Sequence, residues 1–180
     1  MRVKKEQNIR NEATSNDDRK QAVIKFFNAD PNLVDVKTAS GYDGPVTEVT
    51  FNGNVFWVLT DEEAQREATA DFLQSGLSGS DIANDPVLSR MAERSDILDY
   101  DKLREIFEEE LDEEDLYDKA QMLGVDELWD NDIIDREAFC NALWEDWGYG
   151  HDLDIDNRNE CEEVNGVYYN IILREGEWED

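Results

Sequence analysis

Two Asn-Gly dipeptides constrain the fold more than any other feature of the sequence. Asn52-Gly53 divides residues 46–59 into two runs rich in β-branched and aromatic residues, and Asn165-Gly166 divides residues 161–173. Both residues of each pair tolerate positive φ, which the centre of a type I′ turn requires, and this turn suits the twist of paired antiparallel strands. The sequence therefore predicts two β-hairpins.

Helices are predicted on both sides of the first hairpin. Residues 17–28 suit a short helix that ends near Asn28. The Thr60 hydroxyl and the Glu63 carboxylate can satisfy each other's backbone donors in a capping box. A second helix is therefore predicted from this box to about Ser75.

The segment from residue 76 to residue 86 is rich in Gly, Ser and Pro, which predicts a loop and a boundary between two parts. We expect a flexible basic N-terminus (1–15), an α/β part (16–76) and an acidic helical part with the C-terminal hairpin (77–180). Residues 174–180 are predicted to be a loose tail.

Residues 85–147 have helical periodicity. The apolar positions of 103–111 are out of phase with those of 116–123, which predicts two helices with a bend near Asp112. Asp135 can cap a last helix. The apolar face of that helix would be Phe139, Ala142, Leu143 and Trp147. The predicted fold class is α+β: an N-terminal β-hairpin plus helix, a central acidic helical segment, and a C-terminal helix followed by a β-hairpin.

The charge of the chain limits its partners. There are 46 Asp and Glu against 17 Lys and Arg, a formal net charge of −29 on 180 residues. Solubility alone needs a magnitude of only about 2–8, and the excess opposes a compact fold by self-repulsion. The aromatic content of 10% is too high for a disordered acidic tail. Such a protein is not expected to bind DNA, RNA or anionic membranes directly.

The sequence indicates a cytoplasmic protein. The first ten residues lack the apolar core of a signal peptide, and no apolar run approaches the ~18 residues of a membrane span. The two cysteines, Cys140 and Cys161, are expected to be buried free thiols in a reducing compartment, and one disulfide between them is the alternative.

The densest acidic segment is residues 105–118, in which nine of the 14 residues are Asp or Glu. As a helix it would be about 21 Å long, with one carboxylate per roughly 2.3 Å against one phosphate per ~1.7 Å of the DNA axis. Either this is a solvated helix face, or it is a functional polyanionic surface for a protein whose groove takes nucleic acid. The predicted phosphate-mimicking residues are Asp101, Glu105, Glu108, Glu109, Glu110, Asp112, Glu113, Glu114, Asp115, Asp118, Asp126, Glu127, Asp130 and Asp132.

One segment has the spacing of a calcium loop. Asp152, Asp154 and Asp156, with Glu163 at the twelfth position, follow the ligand spacing of an EF-hand. Asn157 stands where that loop needs Gly for its sharp turn, and a strand rather than a helix is predicted to follow. An acidic connecting loop without metal is the alternative interpretation.

No catalytic residues and no cofactor are predicted. His151 is the only histidine and has no Ser or Cys partner that the sequence places beside it. The aromatic residues of the C-terminal half are most simply core residues, although an exposed subset could anchor a partner. These aromatics are Trp129, Trp144, Trp147, Tyr149, Tyr168 and Tyr169.

Two resemblances follow from short motifs. Residues 58–64 (Val-Leu-Thr-Asp-Glu-Glu-Ala), residues 148–151 (Gly-Tyr-Gly-His) and the terminal hairpin resemble a group of acidic bacteriophage proteins of unknown function. Residues 116–120 (Leu-Tyr-Asp-Lys-Ala) and 149–154 (Tyr-Gly-His-Asp-Leu-Asp) resemble the antirestriction ArdA family, over about residues 115–173. That family has Arg at the position of His151. Its members are elongated acidic dimers that imitate DNA in the groove of type I restriction enzymes.

The leading hypothesis is a non-enzymatic DNA mimic, encoded by a phage or a mobile element, that acts in the host cytoplasm. Its expected partner is a host nucleic-acid-binding protein, either a restriction–modification complex or a CRISPR effector, and a homodimer is possible. One alternative is a regulatory adaptor that binds a host enzyme such as RNA polymerase through Trp144 or Tyr149. The other is a calcium-binding module at residues 152–163.

Overall fold

The computed structural model describes residues 15–107, 111–158 and 160–178. Its α+β architecture confirms the predicted fold class. The strands are β1 (Val34–Ser40), β2 (Pro45–Phe51), β3 (Asn54–Thr60), β4 (Glu160–Val164) and β5 (Val167–Glu175). The α-helices in the described ranges are α1 (Asn16–Phe27), α2 (Asp61–Gln74), α3 (Gly79–Asn84), α4 (Pro86–Ala92), α5 (Tyr100–Phe107), α6 (Glu113–Gln121), α7 (Val125–Asp130), α8 (Arg136–Trp147) and α9 (Gly150–Leu153). None of these helices is both long enough and apolar enough to cross a bilayer.

The five strands form one antiparallel sheet in the order β1-β2-β3-β5-β4. Both predicted hairpins are confirmed. Asn52 and Gly53 have φ of 50° and 82°, and Asn165 and Gly166 have φ of 54° and 81°, as a type I′ turn requires. The pairing of β3 with β5 places the two hairpins side by side.

A core fills the space between α1 and one face of the sheet. The members of this core cluster are Ala22, Val23, Val34, Val49, Phe51, Phe56, Val58, Tyr169, Ile171, Leu173 and Trp178. The prediction of a loose tail is wrong for the described residues 174–178: β5 continues to Glu175, and Trp178 is 9% exposed. The indole of Trp178 buries a large apolar area and its N–H donates to Asp154 Oδ1 at 3.2 Å, which explains why the chain end packs on the sheet.

The ends of α1 and α2 follow their local signals. Ser15 caps the start of α1, and Asn28 ends it in the left-handed conformation with φ of 51°. At the start of α2 the backbone N–H of Thr60 donates to Glu63 Oε2 at 2.9 Å, and the N–H of Glu63 donates to the Thr60 hydroxyl at 3.4 Å. The predicted capping box is confirmed.

The chain divides into two compact units at places that the sequence did not indicate. The sheet unit holds the described residues up to Asp71 and those from Trp147 onward, and the helical unit is Phe72–Asp146. The predicted division at 76/77 differs from this because β3–β5 pairing places the C-terminal hairpin in the same sheet as the first. The predicted basic N-terminus lies, except for Ser15, outside the described residues.

The predicted loop at 76–86 is wrong in its centre, where α3 forms. Ser78 accepts a hydrogen bond from the N–H of Asp81, and Asp81 accepts one from the N–H of Ser78, so a capping box starts the helix. Asp85 then ends α3 and caps α4, which has Pro86 at its first position.

The helical unit confirms the two out-of-phase helices. Asp112 is the N-cap of α6 and accepts from the N–H of Asp115 at 3.0 Å. Leu103 and Leu116 are fully buried. Other apolar positions of the predicted stripes are less buried: Ile106 is 48% exposed, and Phe107, Leu111, Leu123 and Trp147 are only half-buried.

Candidate polyanionic surface of the helical unit

The helical unit carries most of the charge imbalance. It holds 23 Asp and Glu against six Lys and Arg, a net charge of −17 on 75 residues. Three of the acids, Glu108–Glu110, lie outside the described residues. Of the other 20, 18 are exposed, and the two that are partly buried, Asp85 and Asp99, are helix caps.

Three arginines of this unit form ion pairs within it. Arg94 contacts Asp96 at 2.6 Å, and hydrogen bonding from Arg94 lowers the pKa of that carboxyl. Arg104 contacts Asp101 at 2.9 Å. Arg136 contacts Asp132 at 2.7 Å.

Both lysines are also engaged inside the unit. Lys102 donates to the backbone carbonyl of Asp132 at 2.7 Å. The ammonium of Lys119 lies 4.9 Å from the centre of the Phe107 ring, a cation–π distance. Five of the six bases therefore contact groups of the helical unit itself. Because the exposed acids far outnumber these bases, most of the exposed carboxylates remain anions in contact with solvent.

Helix geometry allows such dense negative charge. Glu113, Glu114 and Asp115 occupy the first turn of α6, and Asp126 and Glu127 occupy the first turn of α7. The N-terminal ends of helices carry a partial positive charge that stabilises each nearby carboxylate by about 0.3–1 kcal/mol. This offsets the repulsion of about 0.2–0.5 kcal/mol for each like-charge pair three or four residues apart.

The predicted acids divide into two groups. Four also hold the fold: Asp101 and Asp132 form ion pairs, Asp112 caps α6, and Asp130 accepts from the N–H of Gly79 at 2.7 Å. The other seven described acids are exposed and are the residues on which a binding role rests. These are Glu105, Glu113, Glu114, Asp115, Asp118, Asp126 and Glu127.

Two similar turns join the helices at the centre of this unit. The N–H of Asp99 donates to the carbonyl of Ile133, and the N–H of Asp135 donates to the carbonyl of Ile97, both at 2.8 Å. Leu98 and Ile134 form an isolated antiparallel bridge between the two turns. Asp99 and Asp135 each then cap the helix that follows.

Sequence reasoning found the cap at Asp135 but missed this pairing. Its signal is a spacing repeated 36 residues apart: Ile97-Leu98-Asp99 and Ile133-Ile134-Asp135 are each followed, four residues after the Asp, by a buried apolar residue (Leu103 and Phe139). The paired turns fix the starts of α5 and α8, and so the directions in which acids such as Asp101 and Glu137 project.

The predicted calcium ligands are not assembled into a site. Among the described residues no group of three or more His, Cys, Asp or Glu side chains could hold a metal ion. Asp154 is 3% exposed, and its carboxylate accepts hydrogen bonds from the N–H groups of Asp156 and Leu173 and from the Trp178 indole. Its oxygens are therefore used to join α9 to β5 and the chain end. The strand that follows is β4, as the sequence indicated.

Three of the six C-terminal aromatics are core residues. Trp129, Trp144 and Tyr169 are at most 5% exposed, which confirms the simpler prediction for these three and removes Trp144 as an anchor for an adaptor. Tyr149 is half-buried, and Tyr168 is 56% exposed. Both cysteines are free, so the alternative of a disulfide is wrong; Cys140 is buried as predicted, whereas the prediction of a buried thiol is wrong for Cys161, which is exposed on β4. His151 stacks against Trp147 with ring centroids 4.1 Å apart.

A polar cluster in the sheet unit was not predicted. The Tyr42 hydroxyl accepts from Arg174 Nη2 at 2.9 Å and donates to Asp71, and the Arg174 guanidinium lies 4.2 Å from the centre of the Trp57 ring. Burial raises the pKa of Asp71. Burial, and then the charge of Asp71, raise the pKa of Asp152. No sequence signal links these residues, because they lie far apart along the chain.

Comparisons of the chain with protein-family models, with curated proteins and with solved structures give no match. A functional interpretation therefore depends on the geometry and charge described above.

Proposed function

We propose that this protein is a non-enzymatic DNA mimic, encoded by a phage or a mobile element, that inhibits a host defence nuclease by occupying its nucleic-acid-binding groove. The candidate targets are a restriction–modification complex and a CRISPR effector in the host cytoplasm. The observation that carries the proposal is the exposure of 18 of the 20 described acids of the helical unit, while five of its six bases contact groups inside the unit.

The physical argument is one of charge and placement. A groove that binds DNA is lined by Lys and Arg and attracts any anion whose charges are suitably spaced. Exposed carboxylates on rigid helices can stand in for phosphates because they accept hydrogen bonds from the same donors. The seven exposed acids without a described structural role extend from Glu105 in α5 to Glu127 in α7.

The first experiment identifies the target and tests for competition. The tagged full-length protein is used to capture partners from a bacterial lysate, and each captured nuclease is then purified and assayed for displacement of a labelled DNA duplex. We expect mutually exclusive binding of the protein and DNA. If the interface replaces about four phosphate contacts, affinity falls roughly a hundredfold between 50 and 200 mM salt.

A pair of charge-reversal variants tests where the mimic surface lies. The variant E105K/D118K/E127K changes three exposed acids of the helical unit, and E62K/D156K/E177K changes three exposed acids of the sheet unit by the same net charge. Inhibition should weaken by about tenfold or more in the first variant and much less in the second. Equal losses in both would refute the mapping, and a captured partner that binds DNA and this protein simultaneously would refute mimicry.

A further inference from the structure

The two edge strands of the sheet, β4 and β1, differ in whether another element covers them. The edge formed by β4 is covered from α1: the Lys25 ammonium donates to the backbone carbonyl of Glu163 at 2.9 Å and forms an ion pair with Glu162. Covering an edge strand with a helix is a common means of blocking further strand addition. The opposite edge is β1, which among the described strands pairs with β2 alone.

The turn between β1 and β2 determines which backbone groups of β1 face outward. Gly41 N–H donates to the carbonyl of Gly44 at 2.7 Å, and the next pair is Ser40 with Pro45, which has no N–H. Because hydrogen-bonded and non-hydrogen-bonded pairs alternate in an antiparallel ladder, Ala39, Lys37 and Asp35 bond to β2. The backbone N–H and C=O groups of Val34, Val36, Thr38 and Ser40 therefore face away from the sheet.

We propose that β1 pairs antiparallel with β1 of a second copy of this chain, about a two-fold axis at Val36, so that the two sheets become continuous. In this register Val36 lies opposite Val36 of the second copy, and Val34 lies opposite Thr38. Asp35 then lies directly opposite Lys37 of the second copy, and the two-fold axis forms this pair twice. Both side chains are exposed, and the Lys37 ammonium also forms an ion pair with Glu48 on β2 at 2.5 Å, so in the dimer it would lie between two carboxylates.

Charge selects this register over its neighbours. A shift that places the axis at Lys37 puts two lysines directly opposite each other, and a shift that places it at Asp35 opposes two aspartates. Like charges in directly opposed positions destabilise a strand pair, whereas opposite charges stabilise it. The sequence Val34-Asp35-Val36-Lys37-Thr38 is therefore complementary to itself in one antiparallel alignment.

The pairing has an unusual salt dependence because each copy carries a net charge of −29. Long-range repulsion opposes association at low ionic strength, and it is screened when the Debye length falls from about 10 Å at 0.1 M to about 3 Å at 1 M salt. Dimerisation should thus strengthen with salt, the opposite of the behaviour expected for DNA mimicry. The inference does not rest on the proposed function and can fail independently of it.

Sedimentation equilibrium of the full-length protein, over about a hundredfold range of concentration and at low and high salt, tests the proposal. We expect a monomer–dimer equilibrium that salt shifts toward dimer. D35K and K37D should each weaken the dimer by about tenfold, because each turns two attractive pairs into repulsive ones, and D35K/K37D should recover most of the affinity. Because K37D also removes the ion pair of Lys37 with Glu48 on β2, the circular dichroism spectrum of each variant must match that of the wild type. E62K is the matched control, since it makes the same charge change as D35K on α2.

A backbone variant separates strand pairing from charge. T38P removes an outward-facing N–H while leaving every N–H that bonds to β2, so circular dichroism should stay native while the dimer is lost. Three results would overturn the proposal: a wild-type protein that stays monomeric at every concentration and salt, a dimer that tolerates T38P, or a D35K/K37D double variant that associates no better than the single variants.

Discussion

The ion pair between Arg19 and Glu63 offers a direct test of what holds the sheet unit together. Arg19 is 4% exposed, and its two terminal nitrogens contact the two Glu63 oxygens at 2.7 and 2.8 Å. Arg19 also donates to the carbonyl of Val58 at 2.6 Å, so one guanidinium ties α1 to both β3 and the start of α2. Removing either partner leaves the other charged and largely desolvated.

The expected loss of stability follows from the buried charge that each single substitution leaves without its partner. E63Q leaves a buried guanidinium facing a neutral amide, which should lower the free energy of unfolding by about 3–5 kcal/mol. R19M should cost somewhat less, because Glu63 is more exposed than Arg19 and retains its hydrogen bond from the N–H of Thr60. The double variant R19M/E63Q buries no unpaired charge, so its loss should be smaller than the sum by about 1–3 kcal/mol.

Urea unfolding followed by tryptophan fluorescence measures these values. Urea is preferred to guanidinium chloride because it does not screen the charges of a strongly acidic chain. The slope of each transition should match that of the wild type. Additive single-variant losses, with a coupling energy below about 0.5 kcal/mol, would refute the reasoning.

The same pair predicts a pH dependence. Burial by itself raises the pKa of Glu63, but hydrogen bonds from Arg19 and from the Thr60 backbone outweigh it, so the pKa is lowered overall. A carboxyl whose pKa is lower in the folded state contributes stability that is present above its unfolded pKa and is lost as the pH falls through the folded pKa. The penalty of E63Q should therefore be largest near neutral pH and shrink in acid.

Two further substitutions test other parts of the fold. Burial and the charge of Asp71 raise the pKa of Asp152, so this residue favours the folded state at low pH and loses that contribution as the pH rises through its folded pKa. D152N should therefore raise the urea midpoint at pH 7 and leave it unchanged at pH 3. A lower midpoint at pH 7 would contradict this reasoning. A Cβ on Gly79 would lie 2.3 Å from the backbone oxygen of Asp126, so G79A should destabilise the helical unit by about 1–3 kcal/mol in thermal unfolding. The control is G44A, whose Cβ meets nothing within 4 Å, and equal stability of the two variants would show that the α3–α7 contact is not tight.

Sequence reasoning succeeded where the structure depends on neighbouring residues. The type I′ turns at Asn52-Gly53 and Asn165-Gly166, the cap at Asp135 and the box at Thr60 are all local, because each is formed by residues within a few positions of one another. The Ser78–Asp81 box is equally local, but the Gly and Ser residues around it predict a loop instead. Short helices in such segments are recognised by the cap and not by composition.

Sequence reasoning failed where segments that are distant along the chain pair or pack together. Nothing in either hairpin indicates that β3 and β5 pair, because each strand could be completed by other partners, and so the division of the chain was misplaced. The burial of Trp178 depends on Asp154 and α1, which are distant in the sequence, so its neighbours alone predict a loose tail. Exposure of the acidic residues was predictable from charge alone, whereas the roles of Asp130 and Asp132 in holding the fold were not.

The insertion of a whole helical unit between β3 and β5 has a consequence for synthesis of the chain. Val55–Thr60 pair with residues 169–175, and at about 5–20 residues per second the ribosome needs roughly 5–20 s to make the intervening chain. During that interval the apolar strand β3, buried along most of its length in the finished sheet, has an open edge. The edge of β3 is therefore completed only when the last strands of the chain have been made.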